Sequence, residues 1–510
     1  MGEQNVKQIL DKGEMRKFTQ HLFRDIRAME VMLERGMFEN DVTRIGAEQE
    51  LCLIDKSFLP APIAPQLLSE IKNPAFTNEL STFNLEINLD PLVFKGDCLS
   101  VMEKQLKTCL GELSEHLQKY VADYIMVGIL PTIRRSDLTL DNLTPNPRYF
   151  ALNDAIMAMR GGPYEFRIQG HDELVTSHDT LMFESCNTSF QVHYQVSAKD
   201  FASRYNWAQA ITAPVLSVAT NSPLLLGQRL WRETRIALFQ QSADTRNMTE
   251  YGRDMQSRVF FGDHWLEKSV MEIFQEEAAR YRVLISTPIE EDSLETLNAG
   301  GIPKLKALRL HNGTIYTWNR PCYGITNGKP HLRIENRVLP SGPTVLDEMA
   351  NTAFWLGLMH GMPPEYRNLN KKFDFDHVKS NFMRAAKMGM GAMFRWVNGK
   401  PYSAQELICK ELIPMAREGL ASTNIRKRDI DRYLNVIQER AETGRSGSQW
   451  MLDSFNSLKK KGTKEEAIVA TTAGIVKRQK SNKPVHKWSK ARINEAGSWR
   501  NRYWRIEQIM

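Results

Sequence analysis

A short segment from Arg44 to Asp55, RIGAEQELCLID, constrains the fold more than any other part of the chain. It is rich in apolar residues after Glu50 and is bounded by Gly46 and a polar turn, which is typical of a strand. Glu48 and Glu50 are two positions apart, so in a strand both carboxylates leave the same face. At about 5 Å and an effective dielectric of about 20, they repel by about 3 kcal/mol. The segment therefore predicts a strand with a cation held against its acidic face.

Three further segments alternate with the same period and carry an unusual set of polar residues. Their polar positions are Asn84, Glu86 and Asn88; Gln191, His193 and Gln195; and Arg333, Glu335 and Arg337. One such face alone is typical of a solvated antiparallel sheet, but Lys, Ser and Thr, its usual residues, are absent from all of them. Because neighbouring strands lie about 4.8 Å apart, these faces can converge on one site. Carboxylates with one imidazole suit Mg²⁺ or Mn²⁺ rather than a Cys/His zinc site, and arginines can bind the phosphates that accompany such ions.

The remaining patterns predict mostly helices around these strands. An apolar stripe at helical spacing predicts an N-terminal helix over 14–36. The other predicted elements are a short helix over 66–72, a helix over 100–120 that begins with a capping box from Ser100 to Glu103, an extended segment over 125–131, helices over 201–220 and 225–241, and a hairpin over 308–318 with a type I′ turn at Asn312-Gly313.

Helical patterns dominate after Pro363-Pro364, which predicts a sheet-containing part over 1–362 and a mainly helical part over 363–510. The net charge is also unevenly distributed along the chain, since residues 444–510 carry +10 and the preceding residues carry −3. A basic segment can bind nucleic acid or another anion, but no recognised nucleic-acid motif accompanies it here. We therefore interpret it as solvated helical surface, either in a separate domain or packed against the sheet.

Several classes of protein are excluded by motifs that the sequence lacks. It has no GxxxxGK[ST] loop, no GxGxxG after a strand and no GxSxG, so P-loop, dinucleotide-binding and hydrolase sites are not predicted. The longest apolar stretch, residues 211–227, contains polar residues and two prolines, so no membrane span is expected. Six scattered cysteines without a CxxC pair are typical of a reduced, cytoplasmic protein.

The acidic strand and the motifs that follow it resemble the glutamate–cysteine ligase family, in particular its carboxylate–amine ligase branch. The resemblance covers residues 40 to 345, with the order of the motifs preserved. These motifs are GAEQE at 46–50, the pair Glu79 and Glu86 in NELSTFNLEI, VGILPT at 127–132, PRY at 147–149, QVHYQV at 191–196, NSP at 221–223 and RIENR at 333–337.

The resemblance implies a glutamine-synthetase-like α+β fold, in which a curved antiparallel sheet with a polar concave face is flanked by helices and followed by a mainly helical C-terminal part. It implies ATP and Mg²⁺ (or Mn²⁺) as cofactors, with amino acids as the carboxylate and amine substrates. It also implies Arg337, Glu335 and His193 as catalytic residues and Arg333 with Arg337 as phosphate contacts. By position, the implied metal ligands are Glu48, Glu50, Glu79, Glu86, His193 and Glu335.

The sequence departs from the family pattern at two positions. QVHYQV keeps one histidine where the family has HVH, and Gln49 replaces a third acidic residue on the other face of the strand. Neither change removes an implied ligand, but the first leaves the identity of the joined acid and amine open.

The predicted activity is ATP-dependent amide formation through an acyl phosphate, as in γ-glutamylcysteine formation for glutathione biosynthesis. Two alternatives stay open at this point. One is a phosphotransferase on the same sheet, and the other is a non-catalytic protein that binds anions or nucleic acid through its basic C-terminal segment. Neither a membrane nor a nucleic acid is an expected partner of the ligase, and the oligomeric state is open.

Overall fold

A curled antiparallel sheet of eight strands forms the centre of the molecule. The computed structural model describes residues 6–8, 12–246 and 256–497. The strands of this sheet, labelled in chain order, are β1 Arg44–Ile54, β2 Phe76–Asn78, β3 Asn84–Asn88, β4 Leu92–Val93, β5 Asp123–Ile125, β6 Phe190–Val196, β7 Asn319–Thr326 and β8 Lys329–Asn336. Across the sheet the order is β7-β8-β6-β1-β3-β2, and β4 and β5 pair with the two ends of β1. This confirms the predicted fold class.

Strand β1 shows why the two faces of the sheet differ. Leu51 and Leu53 are fully buried on one face, whereas Glu48 and Glu50 point to the other. Helices Phe201–Ala219 and Val345–His360 pack on the apolar side and are buried on nearly all sides. Such all-round burial is expected of a helix in the interior of a large protein.

The C-terminal helices pack directly on this layer. Ile413–Ser422 and Lys427–Thr443 contact helix Val345–His360 on the side away from the sheet. A Cβ at Gly419 would lie 2.0 Å from the carbonyl oxygen of Gly357, so glycine is required for this close approach. The helical character of the C-terminal part is confirmed, whereas the boundary between two domains at 362 stays a prediction.

Helices flank the sheet along the whole chain. The N-terminal helix lies within two residues of its predicted position. The longer helices outside those already named are Lys12–Glu34, Ala64–Glu70, Cys98–Lys119, Pro147–Arg160, Thr234–Ser242, Met271–Arg280, Lys306–Asn312, Phe375–Met388, Gly447–Lys459 and Lys464–Gln479.

The predicted hairpin over 308–318 is wrong. Lys306–Asn312 is a helix, and its apolar positions Ala307, Leu308 and Leu310 are buried. A type I′ turn requires positive φ at both central residues, but Gly313 has φ −68 and caps the helix. The Asn-Gly pair therefore ends a helix here instead of joining two strands.

Three smaller predictions are also corrected. The helix expected over 100–120 begins at Cys98, and the hydroxyl of Ser100 donates to the carbonyl of Asp97, so Ser100 is not its cap. The segment expected to be extended over 125–131 is a strand only to Ile125. Residues 225–241 begin as a short hairpin that turns at Leu226-Gly227, both with positive φ, before the helix starts at Thr234.

Several cations of the basic C-terminal segment are neutralised within the fold. Arg478 donates to the Glu495 carboxylate at 2.9 Å. The Lys487 ammonium lies 2.9 Å from the Glu439 carboxylate. These pairs agree with our interpretation of the segment as helical surface. Nucleic-acid binding by the segment stays untested. Among the described residues, no helix is long and apolar enough to cross a membrane.

Candidate active site

The register of the sheet brings the polar residues of five strands onto one face. Residues that pair directly on neighbouring strands share a face. Side chains from strands far apart in the sequence therefore meet at a single cleft. The pairs along this face are Glu50 with Glu86, Glu48 with Gln191, His193 with Gly46 and with Glu335, and Glu335 with Arg320.

Three carboxylates crowd together where β1 meets β3. Oxygen atoms of Glu50, Glu79 and Glu86 lie within 4.8 Å of one another. Glu86 accepts hydrogen bonds from the amide of Asn88 at 2.7 Å and the hydroxyl of Thr77 at 3.0 Å. Within the described residues, none of the three carboxylates forms an ion pair with lysine or arginine. We call these three residues the acidic cluster.

The crowding changes the acidity of these groups. Burial and the neighbouring carboxylates raise the pKa of Glu79 well above its usual range and that of Glu86 to about 7. Glu184, on the short helix Leu181–Cys186, lies beside the cluster, and burial together with Glu50 raises its pKa to about 7. Several buried carboxyl groups that form no ion pair within the described part of the chain fit a bound cation, and carboxylate oxygens are the ligands that Mg²⁺ prefers.

Charges are balanced at the β6–β8 side of the cleft. His193 Nε2 lies 3.0 Å from Glu48 Oε1, and although burial raises the pKa of Glu48, the imidazole lowers it to about 2. Glu335 is fully buried and accepts hydrogen bonds from Arg320 Nε at 2.7 Å and Arg337 Nη1 at 3.0 Å. The two guanidinium groups outweigh the effect of burial and keep the pKa of Glu335 below its usual range.

The cleft continues along the sheet as two adjoining cavities of about 330 and 570 Å³, which share Glu48, His193 and Arg333. The acidic cluster lines the first cavity. Cations face it from helices Pro147–Arg160 and Lys306–Asn312 and from the sheet. An acidic floor below several cations is suited to a metal-bound polyphosphate. The cations that line the first cavity are Arg148, Lys306, Arg309, Arg320, Arg333 and Arg337.

The sequence model of the glutamate–cysteine ligase family 2 (GCS2) matches residues 44–473. This chain belongs to the GCS2 family. The match begins at the first residue of β1 and continues into the last long C-terminal helix, so it includes every strand of the central sheet. As a GCS2 member the protein is a ligase.

One solved structure agrees with this GCS2 assignment at the level of the fold. Glutamate–cysteine ligase from Francisella tularensis, in complex with AMP, is similar with a TM-score of 0.51 at 11% identity, over 92% of this chain and 99% of that one. A bifunctional glutathione synthetase from Pasteurella multocida gives a TM-score of 0.47 at 11% identity, over 89% of this chain and 55% of that one. A search of curated proteins gave no match.

All residues that the sequence predicted for the site of this GCS2 ligase lie at the cleft. Glu335 lies beneath it, held by two arginines, while the others line the cavities. Their individual roles stay proposals. The predicted residues that line the cavities are Glu48, Glu50, Glu79, Glu86, His193, Arg333 and Arg337.

Other residues of the cleft were missed by the sequence analysis. Arg320 and Cys322 lie on β7, in a segment that contains Pro321 and Gly324 and therefore lacks a strand signal. Arg309 was missed because it lies in the wrongly predicted hairpin over 308–318, and Lys306 lies just before that segment. No periodic pattern surrounds Glu184, so nothing distinguished it from a surface carboxylate.

The raised pKa of Glu86 predicts how stability depends on pH when no metal is bound. A carboxyl group whose pKa is higher in the folded than in the unfolded protein stabilises the fold at pH values below its unfolded pKa, which is near 4.5. This contribution is lost as the pH rises through the folded pKa of about 7. From pH 5 to pH 8, we expect the free energy of unfolding of the wild type to fall by about 3 kcal/mol relative to Glu86→Gln. Urea unfolding in the presence of EDTA measures this difference.

The comparison with Glu86→Gln cancels the opposite contribution of buried histidines, which titrate in both proteins. His178 and His311 have pKa values lowered to about 4 by burial, so they stabilise the fold as the pH rises. A difference that stays constant from pH 5 to pH 8 would show that Glu86 is ionised throughout, contrary to the prediction.

Proposed function

We propose that this GCS2 ligase joins a small-molecule carboxylate to an amine at the expense of ATP, with glutamate and cysteine as the first pair to test. One observation carries the proposal: an acidic cluster that forms no ion pair with any described lysine or arginine faces arginine and lysine side chains across a single cavity. Family membership and the structural relative solved with AMP support it.

The donors of the cavity fit Mg²⁺ or Mn²⁺. Glu50, Glu79 and Glu86 would hold one ion, because their oxygens already lie close together and none of them forms an ion pair with a lysine or arginine among the described residues. Glu48 and His193 would hold another, together with an oxygen of Glu335. When bound, such ions supply positive charge that stabilises phosphate oxygens during transfer.

The arginines of β8 and its extension would orient the nucleotide. Arg333 and Arg337 line the cavity and can donate paired hydrogen bonds to phosphate oxygens. One carboxylate oxygen of Glu335 accepts a hydrogen bond from the guanidinium group of Arg320, and the other accepts one from that of Arg337. We therefore assign Glu335 a positioning role for the arginines in addition to any role in metal binding.

The proposed reaction has two steps. An oxygen of the substrate carboxylate attacks the γ-phosphorus of ATP, and the bond from that phosphorus to the β–γ bridging oxygen breaks, which releases ADP. The amine then attacks the acyl carbon, phosphate leaves with the electron pair of the C–O bond, and the amine nitrogen loses a proton. The enzyme's contribution is to hold the reactants together and to neutralise charge in an enclosed cavity.

A screen for ADP release tests the proposed function. Amino acids are supplied singly and in pairs with ATP and Mg²⁺, and the products are identified by mass. We expect ADP release that depends on both an acid and an amine, with one water lost in the joined product. ADP release with an acid alone and no amide product would identify a phosphotransferase instead, and no nucleotide hydrolysis with any pair would contradict both activities.

Replacing Glu335 with glutamine is expected to lower the rate of amine-dependent ADP release by about 100-fold. The neutral amide can no longer hold two guanidinium groups, and loss of a buried charged partner costs about 3 kcal/mol. Glu406→Gln, which removes an exposed carboxylate paired with Lys410, is the matched control and should keep the wild-type rate. An unchanged rate for Glu335→Gln at saturating Mg²⁺ would remove this residue from the site.

A further inference from the structure

One thiol lies among the oxygen and nitrogen donors of the cleft. Cys322, on β7, is buried and lines the first cavity. Its sulfur lies 3.1 Å from Glu335 Oε2. His193 pairs directly with Glu335 on the neighbouring strand. The sulfur, an imidazole nitrogen and a carboxylate oxygen of these three residues all lie within 4.8 Å of one another.

This second group of donors differs in chemistry from the acidic cluster. The acidic cluster offers only oxygen atoms, which suit Mg²⁺. Cys322, His193 and Glu335 offer one sulfur, one nitrogen and one oxygen, and each of these donor types binds Zn²⁺ in proteins. With Zn–ligand bonds of about 2.0 to 2.3 Å at tetrahedral angles, two such ligands of one ion lie about 3.3 to 3.6 Å apart, so donors now within 4.8 Å of one another must approach by up to about 1.5 Å through side-chain rotation.

The donor atoms have free capacity for an ion. His193 Nδ1 is buried and has no hydrogen-bond partner among the described residues, while Nε2 contacts Glu48. Glu335 Oε1 accepts one hydrogen bond, from Arg337, and a carboxylate oxygen has two lone pairs. A metal can therefore bind without breaking the ion pairs that Glu335 forms with its two arginines.

We propose that Cys322, His193 and Glu335 form a Zn²⁺ site in the cleft, and that Zn²⁺ bound there inhibits the ligase in competition with Mg²⁺. The inhibition rests on the proposed function, whereas the binding of Zn²⁺ does not. On binding, the thiol loses its proton to solvent and a sulfur–zinc bond forms. A Zn²⁺ ion bound there occupies donor atoms of His193 and Glu335 that Mg²⁺ would otherwise use, and it orients them at the tetrahedral angles that Zn²⁺ prefers.

Cobalt(II) substitution tests the site without any measurement of activity. Co²⁺ added to the metal-free full-length protein should give the sulfur-to-cobalt charge-transfer absorption of a thiolate ligand, and Zn²⁺ should abolish it. Cys322→Ser should lose this absorption, whereas Cys409→Ser, a partly exposed cysteine outside the cleft, should keep it. Absence of the absorption in the wild type, or its persistence in Cys322→Ser, would overturn the proposal. The first of these results does not depend on whether the variant folds.

Inhibition by Zn²⁺ is measured separately, as ADP release at a fixed, subsaturating Mg²⁺ concentration and a series of buffered Zn²⁺ concentrations. We expect the Zn²⁺ concentration for half inhibition to rise at least tenfold in Cys322→Ser and to be unchanged in Cys409→Ser. Equal sensitivity of Cys322→Ser and wild type would overturn the regulatory part of the proposal. A protein that shows the cobalt signal but releases no ADP with any amino acid would keep its Zn²⁺ site and lose the proposed function.

Discussion

Replacement of Glu79 with glutamine is expected to lower ligase turnover about 100-fold while the metal-free protein stays within about 1 kcal/mol of wild-type stability. Burial and the neighbouring carboxylates raise the pKa of Glu79 well above its usual range, so without metal they favour the protonated form of this group. Glutamine resembles that protonated form in shape and charge, so the metal-free fold should tolerate it. A bound cation requires the ionised form of Glu79. Loss of one charged ligand weakens the binding of that cation by several kcal/mol.

Two measurements separate these effects for Glu79→Gln. Urea unfolding with EDTA reports the stability of the metal-free protein, and ADP release against Mg²⁺ concentration reports the loss of metal-dependent function. Glu173→Gln is the matched control, since that carboxylate forms an exposed ion pair with Arg167 on a surface hairpin and should change neither quantity. Wild-type turnover in Glu79→Gln would place the essential ion elsewhere in the cleft.

Replacement of Arg440 with methionine is expected to cost about 3 to 5 kcal/mol of stability. Arg440 is fully buried and donates to the Asp347 carboxylate at 2.8 Å and to the Asn351 side chain at 2.6 Å. Removal of one partner leaves the charge of Asp347 buried without its counter-charge, and this is the reason for the large effect. Urea unfolding followed by both fluorescence and circular dichroism measures the change.

The same variant tests whether residues 363–510 are a separate domain. Arg440 lies on a C-terminal helix and Asp347 on the helix that covers the sheet, so in one cooperative unit the whole transition shifts to lower urea. If the C-terminal part unfolds by itself, Arg440→Met should instead produce an early, separate transition. Arg428→Met, an exposed position on the same helix as Arg440, is the control and should stay within about 0.5 kcal/mol of wild type. A loss below 1 kcal/mol in Arg440→Met would contradict the role of the ion pair.

The acidic strand could be predicted from sequence because its signal is local. The two-residue spacing of Glu48 and Glu50 places both carboxylates on one face whatever the partner strands are. Glu86, His193 and Glu335 also lie in segments where every second residue is polar, so they could be expected on the same face. The order of these strands across the sheet could not be predicted. Register depends on packing of the apolar face, to which the polar pattern adds no information.

The strand that carries Arg320 shows where local signals fail. Pro321 and Gly324 argue against a strand in most contexts. Among the described strands this one lies at the edge of the sheet, where a residue without an N–H is tolerated because one side of the strand has no partner there. Likewise, Asn312-Gly313 is a strong turn signal, but the buried apolar side of Lys306–Asn312 favours a helix. Tertiary packing decides both cases.

The ligands in this cleft come from widely separated parts of the polypeptide, since nearly 290 residues lie between Glu48 and Glu335. During synthesis the first acidic strand leaves the ribosome long before the last one. The acidic cluster needs only residues 50–86, whereas the site that Glu48, His193 and Glu335 share is complete only when β8 has paired with β6. A divalent ion at this second site therefore stabilises a chain that has already reached its topology and cannot direct how the earlier strands pair.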